Sequence, residues 1–218
     1  MSTTARSIIE RAQTQLQDAA GVRWPATELV GWLNDAQRAY LVERPDQKCT
    51  TQAVSLTAGF RQNLPAGAMS LIDVPNNSAG TKRRITKVDV VTLDAVMPTW
   101  RSASASTQVV HFMHDLREPK AFYVYPPAAT GAQVDMTYSV YPTDVSLVSV
   151  GAAAATVTGD IDLPDSAAEA LLNFVLYKAY SKDAEFGGNA QIASGYLALF
   201  NAAVGSQLQS TATVAPQT

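Results

Sequence analysis

The chain has 218 residues, 47% of them hydrophobic, with 12 Gly, 11 Pro and a formal charge of −3. That length supports one substantial core or two small modules sharing one, and the composition excludes disorder and fibrous repeats. Net acidity argues against gripping nucleic acid over the whole surface. Only 16% of residues are charged, against roughly 25% in ordinary soluble domains, so the surface is cheap to desolvate and suits a subunit buried among neighbours.

Cys49 stands alone, which rules out an intrachain disulfide or a cysteine-rich zinc site. The N-terminal stretch lacks the apolar core of a signal peptide. No apolar run reaches the roughly 18 residues of a membrane span. The expectation is a protein that stays in the cytoplasm where it is made, or enters a particle.

Taken in chain order, residues 3–20 predict a first helix, with Ala5, Ile8, Ile9, Ala12, Leu16 and Ala19 at helical spacing and a cap from Ser2 to Thr4. A second helix follows the "GVRWP" link, with Thr27 as its expected cap, a stripe of Leu29, Trp32, Leu33, Ala36 and Tyr40, and Pro45 as its stop. After residue 48 the pattern becomes short strands. "TQAVSL" and "FRQNLP" read as two strands around a Gly-containing turn, and "SLIDVPN", "RRITKVD", "QVVHFMHD", "AFYVYPP" and "AQVDMTYSVYP" continue the run. "VVTLDAVMPTW" reads as one short helix. Residues 143–159 read as a loop or a loose hairpin. Helix returns at 166–184, capped by Asp165 or Ser166, and at 189–205, with the break at Gly187-Gly188. The uncharged segment 206–218 reads as an arm.

The order αα–β–αα predicts an α+β fold. The expected form is a four-helix bundle from the two terminal helix pairs, residues 1–48 with 163–205, with a β-rich domain, 49–162, inserted between them.

The third helix is apolar over an arc of roughly 200°, against about 100° for a one-sided helix. Such a helix needs two partners. It is either the central helix of a monomeric bundle or a helix shared with a neighbouring subunit. On the fourth helix, Ile192, Tyr196, Leu199, Phe200 and Ala203 form the expected core stripe, and small residues including Ala198 and Ala202 occupy the other face. The candidate subunit interface is therefore Leu171, Leu172, Val175, Leu176 and Tyr180 with Ala198 and Ala202.

Chemistry-bearing residues are sparse. His111, His114 and Asp115 are the one candidate metal cluster, but i, i+3 spacing on a strand sends the imidazoles to opposite faces. Asp160, Asp162 and Asp165 lack the Gly and the closing Glu of a calcium loop. Lys82, Arg83 and Arg84, with Lys87, form a basic run that fits either a contact with DNA or an acidic partner, or a solvated strand edge. No phosphate-binding loop, dinucleotide fingerprint or nucleophile elbow occurs. No catalytic residue, cofactor site or metal site is assigned.

Several stretches together resemble the head-to-tail adaptor (connector) proteins of short-tailed phages, similar in role to tail tubular protein A. They are "RWPATELVGWLNDAQRAYLVERPD" (23–46), "GFRQNLPAGAMSLIDV" (59–74), "FYVYPPA" (122–128), "YSVYP" (138–142) and "LPDSAAEALLNFVLYKAYSKDAEFGGNAQIASGYLALF" (163–200). Where the family is expected to carry a basic residue before Asn, this chain has Pro75. The resemblance implies a non-enzymatic virion protein forming a homo-oligomeric ring of twelve copies. The ring would join the portal protein to the tail nozzle, touch tail or fibre proteins through the β segment, and leave a channel for DNA passage without sequence-specific binding. It also implies that residues 206–218, with Gln207, Leu208, Gln209 and Val214, dock on the portal and order only there. The alternatives are another neck or tail-completion protein of different symmetry, and a small-ligand-binding α+β domain.

Overall fold

The computed structural model describes residues 3–115, 117–148, 154–183 and 185–214, with side chains described as far as residue 205. In chain order its elements are α1 (Ala5–Gln15), α2 (Ala26–Glu43), β1 (Cys49–Ser55), β2 (Gly59–Asn63), β3 (Ala68–Asn77), β4 (Thr86–Lys87), α3 (Val90–Val96), β5 (His111–Met113), β6 (Ala121–Ala128), β7 (Gln133–Val140), β8 (Ser146–Leu147), β9 (Val157–Thr158), α4 (Ala168–Lys182) and α5 (Asn189–Val214). Two compact units result. One is residues 48–141; the other joins residues 1–47 to 142–218.

In the helical unit, α1 forms because Ala5, Ile8, Ile9 and Ala12 fall on one stripe, and all four are fully buried. Thr4 caps it, its hydroxyl accepting from the Ser7 amide at 3.2 Å. The turn into α2 is built around Asp18, whose carboxylate accepts the amides of Val22, Arg23 and Trp24 at 2.8–2.9 Å. Pro25, not Thr27, occupies the cap position of α2, and no side chain bonds the helix end there. Proline suits this start because it brings a fixed φ and the first-turn amides have no intrahelical partner. The buried face of α2 includes two polar residues, Asn34 and Gln37.

α4 is the centre of the unit. Leu171, Leu172, Val175, Leu176 and Ala179 are fully buried, and the helix packs on α1 and α2 as well as on α5. Its wide apolar arc is thus covered within one copy of the chain. α5 lies against α4 through Ala193, Phe200 and Val204. The Phe174 and Phe200 rings meet edge-on at 5.1 Å, and Tyr180 stacks on Tyr196 at 5.7 Å.

The expected four-helix bundle is not what forms. α5 packs chiefly on α4 rather than closing against α1 and α2, because the two apolar faces of α4 separate the helices on either side of it. The unit also contains a small antiparallel ribbon, in which Ser146 pairs Thr158 and Leu147 pairs Val157. The described chain has nine strands in three sheets and five α-helices, a mixed fold to which α+β applies only in general. Residues 142–148 and 154–162 group with the helices; residues 149–153, part of the expected loose hairpin, lie outside the described residues.

In the β unit, β1 and β2 are consecutive but do not pair. β1 joins the sheet β1-β7-β3 and β2 joins β2-β6-β5-β4. The link at Leu56–Ala58 therefore crosses from one sheet to the other. Val134, Met136 and Tyr138 of β7 point into the core, alternating with outward residues as the pleat requires. They meet Phe122 and Val124 of β6, so the two sheets share one core with Leu71, Val74, Ile85, Val109 and Phe112. A second cluster forms where Leu93 of α3, Trp100 and Met113 pack together, flanked by Phe60, Tyr123 and Tyr125.

Candidate functional site and interaction surfaces

The predicted interface residues fall into two groups. Leu171, Leu172, Val175 and Leu176 are fully buried within the chain, and Tyr180 is half-buried against Tyr196. Ala198 and Ala202 are exposed on α5. Beside them lie two residues that the sequence reading assigned to the core: Ile192 is 44% exposed and Leu199 53%. The spacing 192, 195, 199, 202 marks one helical stripe, with Gly195 supplying no side chain at all. α5 thus has an inner face used by α4 and an outer apolar face of small and aliphatic residues.

Gly188 explains why the helical run breaks. Its φ of +91° is in the region that favours glycine, and the Asn189 side chain donates to the Asp183 carbonyl at 3.1 Å across the turn. Beyond the break, α5 continues to Val214 rather than ending at residue 205. Gln207, Leu208, Gln209 and Val214 accordingly sit on helical backbone; their side chains, and residues 215–218, are outside what is described.

Lys82, Arg83 and Arg84 project from the loop between β3 and β4, and all three are exposed, as is Lys87. Among the described residues none of the four forms an ion pair; Lys82 acts on Asp135, and Lys87 on His114, through charge alone. The backbone beneath them is fixed by Asn77, which is fully buried. The Asn77 side-chain nitrogen donates to the carbonyls of Arg83 at 3.0 Å and Val109 at 2.8 Å, and its oxygen accepts from the Val109 amide at 2.8 Å. The Asn77 amide also donates to the Arg83 carbonyl at 3.0 Å. Sequence reading missed this anchor, although an asparagine inside a strand-like run signals a local backbone bond.

The β unit also bears an open cavity of about 870 Å³ lined by Phe60, Asp89, Arg101, His114, Asp115, Arg117, Glu118 and Tyr123 among others. Arg101 is committed to Asp94 at 2.6 Å and lies over the Trp100 ring at 4.4 Å. Burial pushes the His114 pKa down, aided by Lys87 and opposed by a bond with Pro119 and by Asp115. His111 instead stacks on Tyr125 at 6.1 Å. Among the described residues, no three His, Cys, Asp or Glu side chains come together in a way that would hold a metal ion.

Charge is divided unevenly between the units. Residues 48–141 carry nine Lys and Arg against six Asp and Glu, a balance of +3, whereas the helical unit carries seven against thirteen, a balance of −6. No described helix is long and apolar enough to cross a membrane.

Comparison with known families gives one extensive match. The model of the family described as SU10 adaptor protein matches residues 3–218, nearly the whole chain. No curated protein matches it.

Proposed function

Because the chain belongs to the SU10 adaptor protein family, a structural phage family rather than an enzyme family, we propose that it is a ring-forming subunit of the phage neck. In this reading about twelve copies join the portal to the tail nozzle around a channel for DNA. The observation that carries the reading is the outer face of α5, where Ile192, Ala198, Leu199 and Ala202 are exposed. A ring needs one surface of each copy to meet a different surface of the next. Small residues allow close backbone approach there, and aliphatic residues supply area to remove from water, at about 25 cal/mol per Å². The low charged fraction of 16% suits a molecule most of whose surface is covered after assembly.

The C-terminal extension, 206–218, is the portal-docking arm in this reading, and the β unit faces tail or fibre proteins. The decisive experiment is cryo-electron microscopy of the assembled neck. A twelve-fold ring of this chain between portal and nozzle is the expected result. A ring of lower symmetry would assign it to another neck component, and its absence from the particle would overturn the reading.

A further inference from the structure

We infer that the loop from Ser78 to Lys87 is a contact for the phosphate backbone of double-stranded DNA, held ready by Asn77. Four cations, Lys82, Arg83, Arg84 and Lys87, occur within six residues, are all exposed, and lie in the unit whose balance is +3. A cation exposed only to keep a strand edge soluble needs no defined backbone. This loop has one. Asn77 ties the Arg83 carbonyl to Val109, and the Ile85 amide donates to the Pro75 carbonyl at 2.9 Å with its side chain buried. The Gln108 side chain donates to the Ala79 carbonyl at 3.1 Å and would crowd any side chain at Gly80, where a Cβ would meet its nitrogen at 2.8 Å. Ordering is completed before a partner arrives, so less entropy is lost on contact.

The composition of the loop decides the class of partner. Protein interfaces draw most of their affinity from Trp, Tyr and Arg anchors seated in desolvated pockets with aromatic partners; this loop has no aromatic residue to seat beside its arginines, and its one large apolar residue, Ile85, points into the core. What remains outward is cations with Ala79, Gly80, Thr81 and Thr86; the Ser78 hydroxyl is already donated to Asp135 at 2.6 Å. Phosphate contacts use this set of charged side chains, hydroxyls and backbone amides, and they carry no sequence information. The inference does not depend on ring formation, since it concerns the isolated chain.

The test is fluorescence anisotropy of the intact purified chain with two unrelated 20-base-pair duplexes across a salt series. Equal binding of both duplexes is expected, with log K falling against log salt at a slope of about −3 for roughly three to four phosphates. The K82A/R83A/R84A variant should lose about tenfold or more in affinity and most of that slope, with circular dichroism unchanged. K82R/R83K/R84K should retain binding. An unaltered affinity and slope in the alanine variant would overturn the inference. So would a polyglutamate peptide binding as tightly as the duplexes, which would assign the loop to an acidic protein.

Discussion

Asn34 grips the backbone of Val145 with both ends of its carboxamide. Its nitrogen donates to the Val145 carbonyl at 3.1 Å, and its oxygen accepts from the Val145 amide at 2.8 Å. Asn77 does the same to Val109 in the other unit. In both, a buried side chain stands in for a missing strand neighbour and satisfies two backbone groups that would otherwise be dry. Beside Asn34, Gln37 accepts from the Asp162 amide at 2.8 Å, so two polar residues on one helix face fix the irregular chain beyond residue 142.

Replacing Asn34 with Ala should cost about 2–3 kcal/mol, since the bonds are lost and the Val145 amide and carbonyl remain buried without partners. Urea unfolding should show a lower midpoint, and hydrogen exchange at the Val145 amide should accelerate. Asn34→Asp should keep the acceptor and still destabilise, because the donor to the carbonyl is gone.

The two apolar faces of the C-terminal helices predict opposite behaviour. Leu172→Ala removes a fully buried side chain and should lower stability by about 2–5 kcal/mol. Leu199→Asp acts on a half-exposed position, should change monomer stability by no more than about 0.5 kcal/mol, and should block assembly. Sedimentation and thermal unfolding of both variants separate the two effects. Normal assembly by a well-folded Leu199→Asp protein would remove the outer face of α5 from the interface.

Gly188→Ala should destabilise by about 1 kcal/mol, because its φ of +91° is costly for a residue with a Cβ. Gly187, which has no such φ and no neighbour that a Cβ would strike, should accept Ala with little change. Thermal melts of the pair check the asymmetry.

Acid should report on Asp94. Its carboxylate is held below the ordinary value of 3.8, first by the Arg101 side chain and then by the Trp100 indole N–H at 2.7 Å. A depressed folded pKa stabilises fully above the unfolded value and loses that contribution as pH falls through the folded one. The loss therefore lies below about pH 4. Trp100 is almost fully buried, so its emission should change in that window, and Asp94→Asn should abolish that component of the change.

Deleting residues 206–218 should leave the thermal unfolding of residues 1–205 nearly unaltered and weaken attachment to the portal. Among the described residues, the side chains that α5 buries, Ala193, Phe200 and Val204, all lie before this point. Attachment equal to the intact chain would exclude a docking role for the segment.

What could be read from sequence was local. The α1 stripe, a short helix within residues 90–100 and the short strands follow from period and turn residues. Long-range choices did not. Nothing near Leu56–Ala58 tells that β1 will find β7 and β2 will find β6, because strand partners are selected by a shared core and not by adjacency. The phase of α5 was misread for a related reason. Apolar residues surround most of that helix, so Ile192 and Leu199 compete with Ala193 and Val204, and the aromatic contacts from α4 decide between them. The basic run was legible as charge, yet its anchor Asn77 acts through Val109, 32 residues away.

The crossing of consecutive strands into separate sheets has a consequence for biosynthesis. β1, made early, finds its sheet neighbour among the described residues in β7, which begins at Gln133. α1 and α2 must wait longer still, for α4 at Ala168–Lys182. A growing chain on the ribosome therefore holds its first helices uncovered while most of the message is read, and pairings this distant are slow to form. Translation that stalls before residue 168 should yield a fragment with Ile8, Ile9, Leu29 and Leu33 bare, a ready target for chaperones and proteases.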